Sequence, residues 1–160
     1  MSYLKITSVI TLIILFVVAT SVFADWKDGS KAMKVSAASN DHDYSFVLTQ
    51  NKSAFGAGDN YFYQLGLGNT QASQLTFIRV HDSNNNIGLK DINDIAAGWT
   101  HSLFRDVNNI TLAVGNNDYG QLRDYSITPR TTPVRVHGPN NVGYLKHIIA
   151  ISAGRSGKIS

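Results

Sequence analysis

Five histidines, His42, His81, His101, His137 and His147, are the side chains whose ordinary pKa lies nearest neutrality. They could act as general bases or bind a metal. His81 and His137 occupy matching places in two copies of a repeat, so they form no local H-x-x-x-H metal pair. Ser102 follows His101 directly, and adjacent strand residues point to opposite faces, so the two make no nucleophile–base pair. The chain has no cysteine, which excludes thiolate zinc sites, iron–sulfur clusters and disulfides. It has no glutamate either, and its aspartates fall in turn-like stretches, so no carboxylate pair is set for hydrolysis. The GRSGK run at 154–158 is too short for a phosphate loop. We therefore assign no catalytic, metal or cofactor-binding residue and expect a non-enzyme. His101 reads as structural, hydrogen-bonded within its own sheet.

The first 24 residues must be set aside before any fold reasoning. Lys5 gives a short positive start, and residues 6–23 carry no charge. Val22 and Ala24 then stand at the small-residue positions of a cleavage site, followed by Asp25. This reads as a hydrophobic signal helix over residues 1–24, with a mature domain over 25–160 that is secreted or periplasmic. The alternative is a membrane anchor over residues 6–23, since about 18 apolar residues just span a bilayer.

The formal net charge is +3, and it is unevenly placed. After residue 118 the only acid is Asp124, against Arg123, Arg130, Arg135, Lys146, Arg155 and Lys158. Such a split can mark an acidic partner, nucleic acid or a membrane surface. The cations are spread singly among apolar residues, so a solvated face is the simpler reading and a nucleic-acid partner is not expected.

Without glutamate or runs of alanine and leucine, long helices have little support. Abundant asparagine, glycine, aspartate, serine and threonine favour turns. The mature chain reads as all-β. Three segments recur at one spacing, to within a residue. GAGDNYFYQL (56–65) matches AVGNNDYGQL (113–122); TFIRV (76–80) matches TPVRV (132–136); LKDINDIAAG (89–98) matches LKHIIAISAG (145–154). VSAAS (35–39) is a poorer copy of the last. SFVLT and SAFGAG flank one polar turn, and HSLFRDV and TLAVG flank another, as antiparallel hairpins do. About four short strands in each unit of roughly 50 residues is the arithmetic of a propeller blade. The expected units run roughly 35–94 and 95–150, with a truncated third from 151.

The order G-x-N, Q-L, P-x-x-V, I-x-x-I-x-A-G and HSL resembles the propeller repeat of the regulator of chromosome condensation family. The best-matching stretch is 111–136, and IAAGWTHSLFR (95–105) is similar to the family signature. The resemblance implies a partial β-propeller of two to three four-stranded antiparallel blades, where the family closes seven. Tyr63 and Arg123 stand where the family usually has glycine, Phe77 where it has proline, and Ala38 where the signature has glycine. On the residues themselves, Gly58 and Gly115 end a strand where a Cβ would obstruct a neighbour. Asn60, Asn117, Gln64 and Gln121 would hold a long loop by their amides, and Leu65 and Leu122 would anchor it.

An open stack leaves an end face uncovered, since a repeat buries its core only on its neighbours. About 500 Å² of bare face forgoes roughly 12 kcal/mol at about 25 cal/mol per Å². Self-association or further blades, a product cut short that folds poorly, or a small sandwich-like stack are the outcomes to expect. Trp26 would pack near the new N-terminus. Trp99, in the signature's variable loop, is the candidate exposed aromatic of a binding surface. Asn51 and Asn109 open glycosylation sequons in hairpin turns, relevant in a eukaryotic host. The functional expectation is a secreted protein-binding module with an unidentified protein partner and no small molecule. The alternative that the resemblance implies is guanine-nucleotide exchange on, or regulation of, a small GTPase, for instance by an effector inside a host cell.

Overall fold

A computed structural model describes residues 30–38, 41–86 and 88–154. The expected signal helix over residues 1–24 lies outside them. Eight strands follow in order: β1 (Ala32–Ala38), β2 (Tyr44–Thr49), β3 (Ala54–Asp59), β4 (Ser73–Arg79), β5 (Ile92–Ala97), β6 (His101–Asp106), β7 (Thr111–Gly115) and β8 (Arg130–Arg135). They form two four-stranded sheets, ordered β1-β2-β3-β4 and β5-β6-β7-β8, and every pairing is antiparallel. Among the described residues the one helical element is a short 3-10 turn at Pro139–Asn141.

The hairpins follow from their turn residues. Leu48 pairs with Ala54 across β2–β3, and Lys52 turns the chain in the left-handed region at φ 62°. Arg105 pairs with Thr111 across β6–β7, and Asn109 does the same work at φ 59°. Short loops ending in a left-handed residue suit the twist of an antiparallel pair. Asp106 supports the second turn, accepting hydrogen bonds from the backbone of Asn108 and Ile110 at 2.9 and 2.8 Å.

Both third strands carry a register shift just before a glycine, Gly58 in β3 and Gly115 in β7. These glycines sit at φ 111° and 113°. A Cβ on Gly58 would meet Asp43 O at 2.5 Å, and one on Gly115 would meet Thr100 O at 2.5 Å. The expectation that a side chain cannot be placed there holds at both positions. Tyr63 and Arg123, the departures from the family's glycines, occupy φ 64° and 52°. The loops keep the left-handed geometry at these two positions without the residue that adopts it most cheaply.

The core lies between the sheets. Tyr44, Phe46 and Leu48 alternate along β2 and turn one face toward Ile92, Ile95, Phe104 and Val114 of the second sheet. The Phe46 and Phe104 rings meet edge to face at 5.2 Å. The far side of the second sheet has a smaller cluster of Ala113, Leu122 and Val136, with Leu103 and Leu145 packed on it. β5 runs across the expected unit break at residue 94. The third copy of its motif ends at Gly154 in extended chain with no strand partner among the described residues. It touches the second sheet much as β5 touches the first. Ile148 N donates to Asn109 O at 3.4 Å, where Ile92 N donates to Lys52 O at 3.0 Å.

Gly115→Ala should lower stability by about 1–3 kcal/mol, the cost of strain at a disallowed backbone site. Gly154→Ala, where a Cβ meets nothing within 4 Å, should stay within about 0.5 kcal/mol of the parent. Urea denaturation of the two variants side by side checks this.

Candidate functional site

Each repeated loop is held by the same two side chains. The Asn60 carbonyl oxygen accepts from Leu65 N at 3.0 Å, and Asn117 accepts from Leu122 N at 3.0 Å. Their amide nitrogens donate across the loop, Asn60 to Gln71 O at 2.8 Å and Asn117 to Thr128 O at 3.1 Å. Gln64 accepts from Phe62 N at 2.9 Å, and Gln121 from Tyr119 N at 3.0 Å. Leu65 and Leu122 are fully buried. The motif residues therefore do what their repetition suggested: they satisfy loop backbone that no strand pairs with.

The first loop also reaches the second sheet. Gly68 N donates to Thr131 O at 2.8 Å, and the Ser102 hydroxyl lies 2.8 Å from Gln64 O. Beside it the buried Tyr44 hydroxyl stands 2.9 Å from Gly98 O, 2.8 Å from His101 O and 3.0 Å from Ser102 Oγ. Burial pushes the Tyr44 phenol well above its ordinary pKa, so it is a neutral donor shared between two carbonyls. Ala97 N donates to Ser36 Oγ at 2.9 Å, and Lys34 forms an ion pair with Asp94. These bonds clamp the sheets together. Ser102 is spent here and makes no pair with His101.

His101 is 8% exposed, and its Nδ1 has no hydrogen-bond partner. Burial lowers its pKa, so it is neutral at pH 7. It sits at the place in β6 that Tyr44 holds in β2, since Tyr44 pairs with Gly58 and His101 with the matching Gly115. Its ring thus lies where Tyr44 spans to a neighbouring sheet. His81 and His137 each contact an asparagine four residues on, His81 to Asn85 at 2.8 Å and His137 to Asn141. His42 Nδ1 meets Asp59 Oδ2 at 2.6 Å, at an open groove bordered by Asp41, Asp43 and Tyr61. Among the described residues no group of three or more acids, histidines or cysteines is set to hold a metal ion.

Trp99, the candidate exposed aromatic, is half-buried. Its ring lies 6.0 Å from His42, its indole N–H is buried without an acceptor, and its backbone N–H donates to Gly154 O at 3.2 Å. Loop aromatics that do face solvent include Tyr61 and Tyr119, both 66% exposed, and Tyr125 at 80%. Sequence reasoning passed over them. Their signal was position: all three follow the buried asparagines of the loops that the motif holds rigid.

Tyr44→Phe strips the shared donor from two buried carbonyls and should cost about 1–3 kcal/mol, whereas Phe46→Tyr offers no replacement. Chemical denaturation reads the loss. The depressed pKa of His101 carries a sign: the unfolded chain binds its proton more readily. Stability should therefore be fully present above the ordinary histidine pKa and fall as pH drops through and below it. His101→Phe should flatten that part of the profile, measured as denaturation midpoint against pH.

Comparison with known proteins fits this geometry. Residues 53–105 match the Regulator of chromosome condensation (RCC1) repeat, a span that takes β3 and β4 from one sheet and β5 and β6 from the next. The chain is similar to the probable E3 ubiquitin-protein ligase HERC6 of Homo sapiens, 33% identical over 124 residues that cover 76% of this chain and 11% of that protein. Among solved structures, Prp20p from Saccharomyces cerevisiae, described with its binding properties to Gsp1p and histones, superposes with a TM-score of 0.58 at 16% identity. The match covers 80% of this chain and 30% of that one. Yeast RCC1 (Prp20) in a structure with Kap60 bound gives 0.55 at 23% identity, covering 78% and 28%. Human WBSCR16 gives 0.56 at 20%, covering 71% and 28%. At these identities the structural likeness establishes the fold. The chain spans about a tenth of the curated relative and under a third of each solved structure.

Proposed function

Since the chain carries repeats of the regulator of chromosome condensation type, we propose that it is a non-enzymatic protein-binding module that acts after export from the cytosol. One observation carries this reading. The repeated polar side chains, Asn60, Asn117, Gln64 and Gln121, bond to the loops they stand in, and the same loops hold Tyr61, Tyr119 and Tyr125 out to solvent. Rigid loops with exposed tyrosines are surfaces for recognition, since tyrosine adds contact area at low entropic cost. The solved neighbours support a protein partner in kind: Prp20p is described with Gsp1p and histones, and yeast RCC1 with Kap60. Export rests on the apolar run and cleavage site read in residues 1–24.

A second reading, regulation of a small GTPase, draws on the family resemblance and on the binding of Gsp1p described for Prp20p. It requires the protein in the compartment of the GTPase, which the export signal opposes unless the protein is delivered into a host cell.

Expression of the full chain in a secreting host should yield extracellular protein with Asp25 as its first residue by N-terminal sequencing. An uncleaved cytosolic product would overturn the export reading. Partners captured from the medium by cross-linking should map to loops 60–68 and 116–128. Cross-links confined to other surfaces would overturn the loop assignment.

A further inference from the structure

The two copies of the repeat report on each other's exposure. The first sheet has a neighbour on its following side, and the second has one on its preceding side. A position that either neighbour covers is therefore covered in one copy. Arg123 and Tyr125 are of that kind: the matching Gly66 and Gly68 lie on Pro133 and Thr131 of the next sheet, so their exposure marks no free face. One cationic pair is different. Arg79 matches Arg135, and Lys90 matches Lys146, within the repeated segments. Lys90, Arg135 and Lys146 are exposed and Arg79 is half-buried, so neither position is fully covered in either copy.

The backbone builds each pair in the same way. Leu89 N donates to Val80 O at 2.7 Å, and Leu145 N donates to Val136 O at 2.8 Å. Arg79 precedes Val80 and Lys90 follows Leu89, so this bond brings the two cations together at the end of the edge strand β4. Arg135 and Lys146 flank the second bond at the end of β8. A Cβ on Gly88 would meet Arg79 Nη1 at 3.5 Å and Lys90 Cε at 4.0 Å, which places both side chains over that glycine. Each guanidinium also rests on a ring, Arg79 at 5.4 Å from the centre of Phe55 and Arg135 at 5.1 Å from that of Tyr144. Among the described residues none of the four cations forms an ion pair. Like charges set together without a counter-charge repel. Both sheets nevertheless carry the arrangement.

We propose that Arg79–Lys90 and Arg135–Lys146 form a cationic edge, one pair per sheet, that docks an acidic segment of a protein partner. A guanidinium held by one face on a ring keeps its edge donors for a carboxylate, which it can meet bidentately. The neighbouring lysine supplies a point charge for the next carboxylate. Two pairs on adjacent sheets suit one segment with two acidic clusters. A nucleic acid fits less well. Asp91 stands exposed directly after Lys90 and would face the unbroken charge of a phosphate backbone, whereas a peptide can place a neutral residue there. The Phe55 ring already carries Arg79, which leaves less platform for a base. The inference rests on the reading of the chain as a protein-binding module and adds to the tyrosine loops a second surface with a stated partner chemistry.

The test uses the full chain and a fluorescein-labelled peptide with two glutamate clusters joined by a glycine–serine spacer, followed by fluorescence anisotropy. An oligolysine peptide and oligodeoxythymidylate of equal charge number serve as controls. The acidic peptide should bind, and binding should weaken as salt rises. Lys90→Ala and Lys146→Ala should each weaken binding about two- to fivefold, and the double variant about tenfold, with thermal midpoints unchanged. Lys31→Ala removes the same charge from an exposed site beside the opposite edge strand, β1, and should leave binding within about twofold of the parent. Unchanged binding in the double variant, an equal loss in Lys31→Ala, equal binding of oligolysine, or tighter binding of the oligonucleotide would overturn the assignment. Those results leave the module reading standing, because cross-linking to loops 60–68 and 116–128 checks that reading separately.

Discussion

The contact between the two sheets is the constraint on which the rest of the structure depends. A four-stranded antiparallel sheet of this size has one apolar face to bury and too little of its own chain to cover it. Here that face is Tyr44, Phe46 and Leu48, and its cover is Ile95, Phe104 and Val114 of the next sheet. The Tyr44 hydroxyl and Ser102 add direction to what burial alone would leave free to slide, because their acceptors, Gly98 O, His101 O and Gln64 O, lie in the strands or loops of the opposite repeat from the donor. Each hydrogen bond is worth about 1 kcal/mol net, less than the buried rings contribute. Its effect is on register more than on total stability.

The repeat is also out of step with the sheets. The span that matches the family repeat starts at β3 and ends in β6, so one sequence unit contributes two strands to each of two neighbouring sheets. Two sheets built this way are tied by the backbone itself as well as by packing. The loop pinned by Asn60 and Gln64 lies within that span, between β3 and β4 of the first sheet, and its contacts to Thr131 and Ser102 reach across to the second. The asparagine and glutamine are needed because the loop is buried at Gln64 and Leu65, where unpaired backbone groups would go without water.

The scaffold holds the two repeated loops in the same way. The two copies share hydrogen bonds to within a few tenths of an ångström at Leu65 and Leu122, yet they differ in what they present. The first copy has glycines at the outer edge; the second has Arg123 and Tyr125. The first copy has glycines because a Cβ there would meet its neighbours, Asn85 beside Gly68 and Pro133 beside Gly66, while the left-handed backbone is kept in both copies. The family resemblance specifies the architecture and leaves the partner open.

The class of the fold, the hairpins, the repeat and the roles of Asn60, Gln64, Leu65 and their counterparts were legible in the residues, because each rests on local chemistry: turn preference, alternation, and an amide repeated at a fixed place. The charge asymmetry after residue 118 was legible too, but its arrangement was not. Which cations stay uncompensated depends on Asp124 folding back onto Arg130 and Asn117, a contact made by the loop's path. Trp99 shows the same limit from the other side. Its type and its loop marked it as exposed, but the chain that returns at Gly154 and the neighbouring His42 leave it half-buried. Sequence by itself determined the strands and what pins their loops, since those interactions join residues close along the chain. Only the tertiary structure decided which face, which tyrosine and which arginine meet solvent, since burial is set by segments that are distant in sequence and adjacent in space.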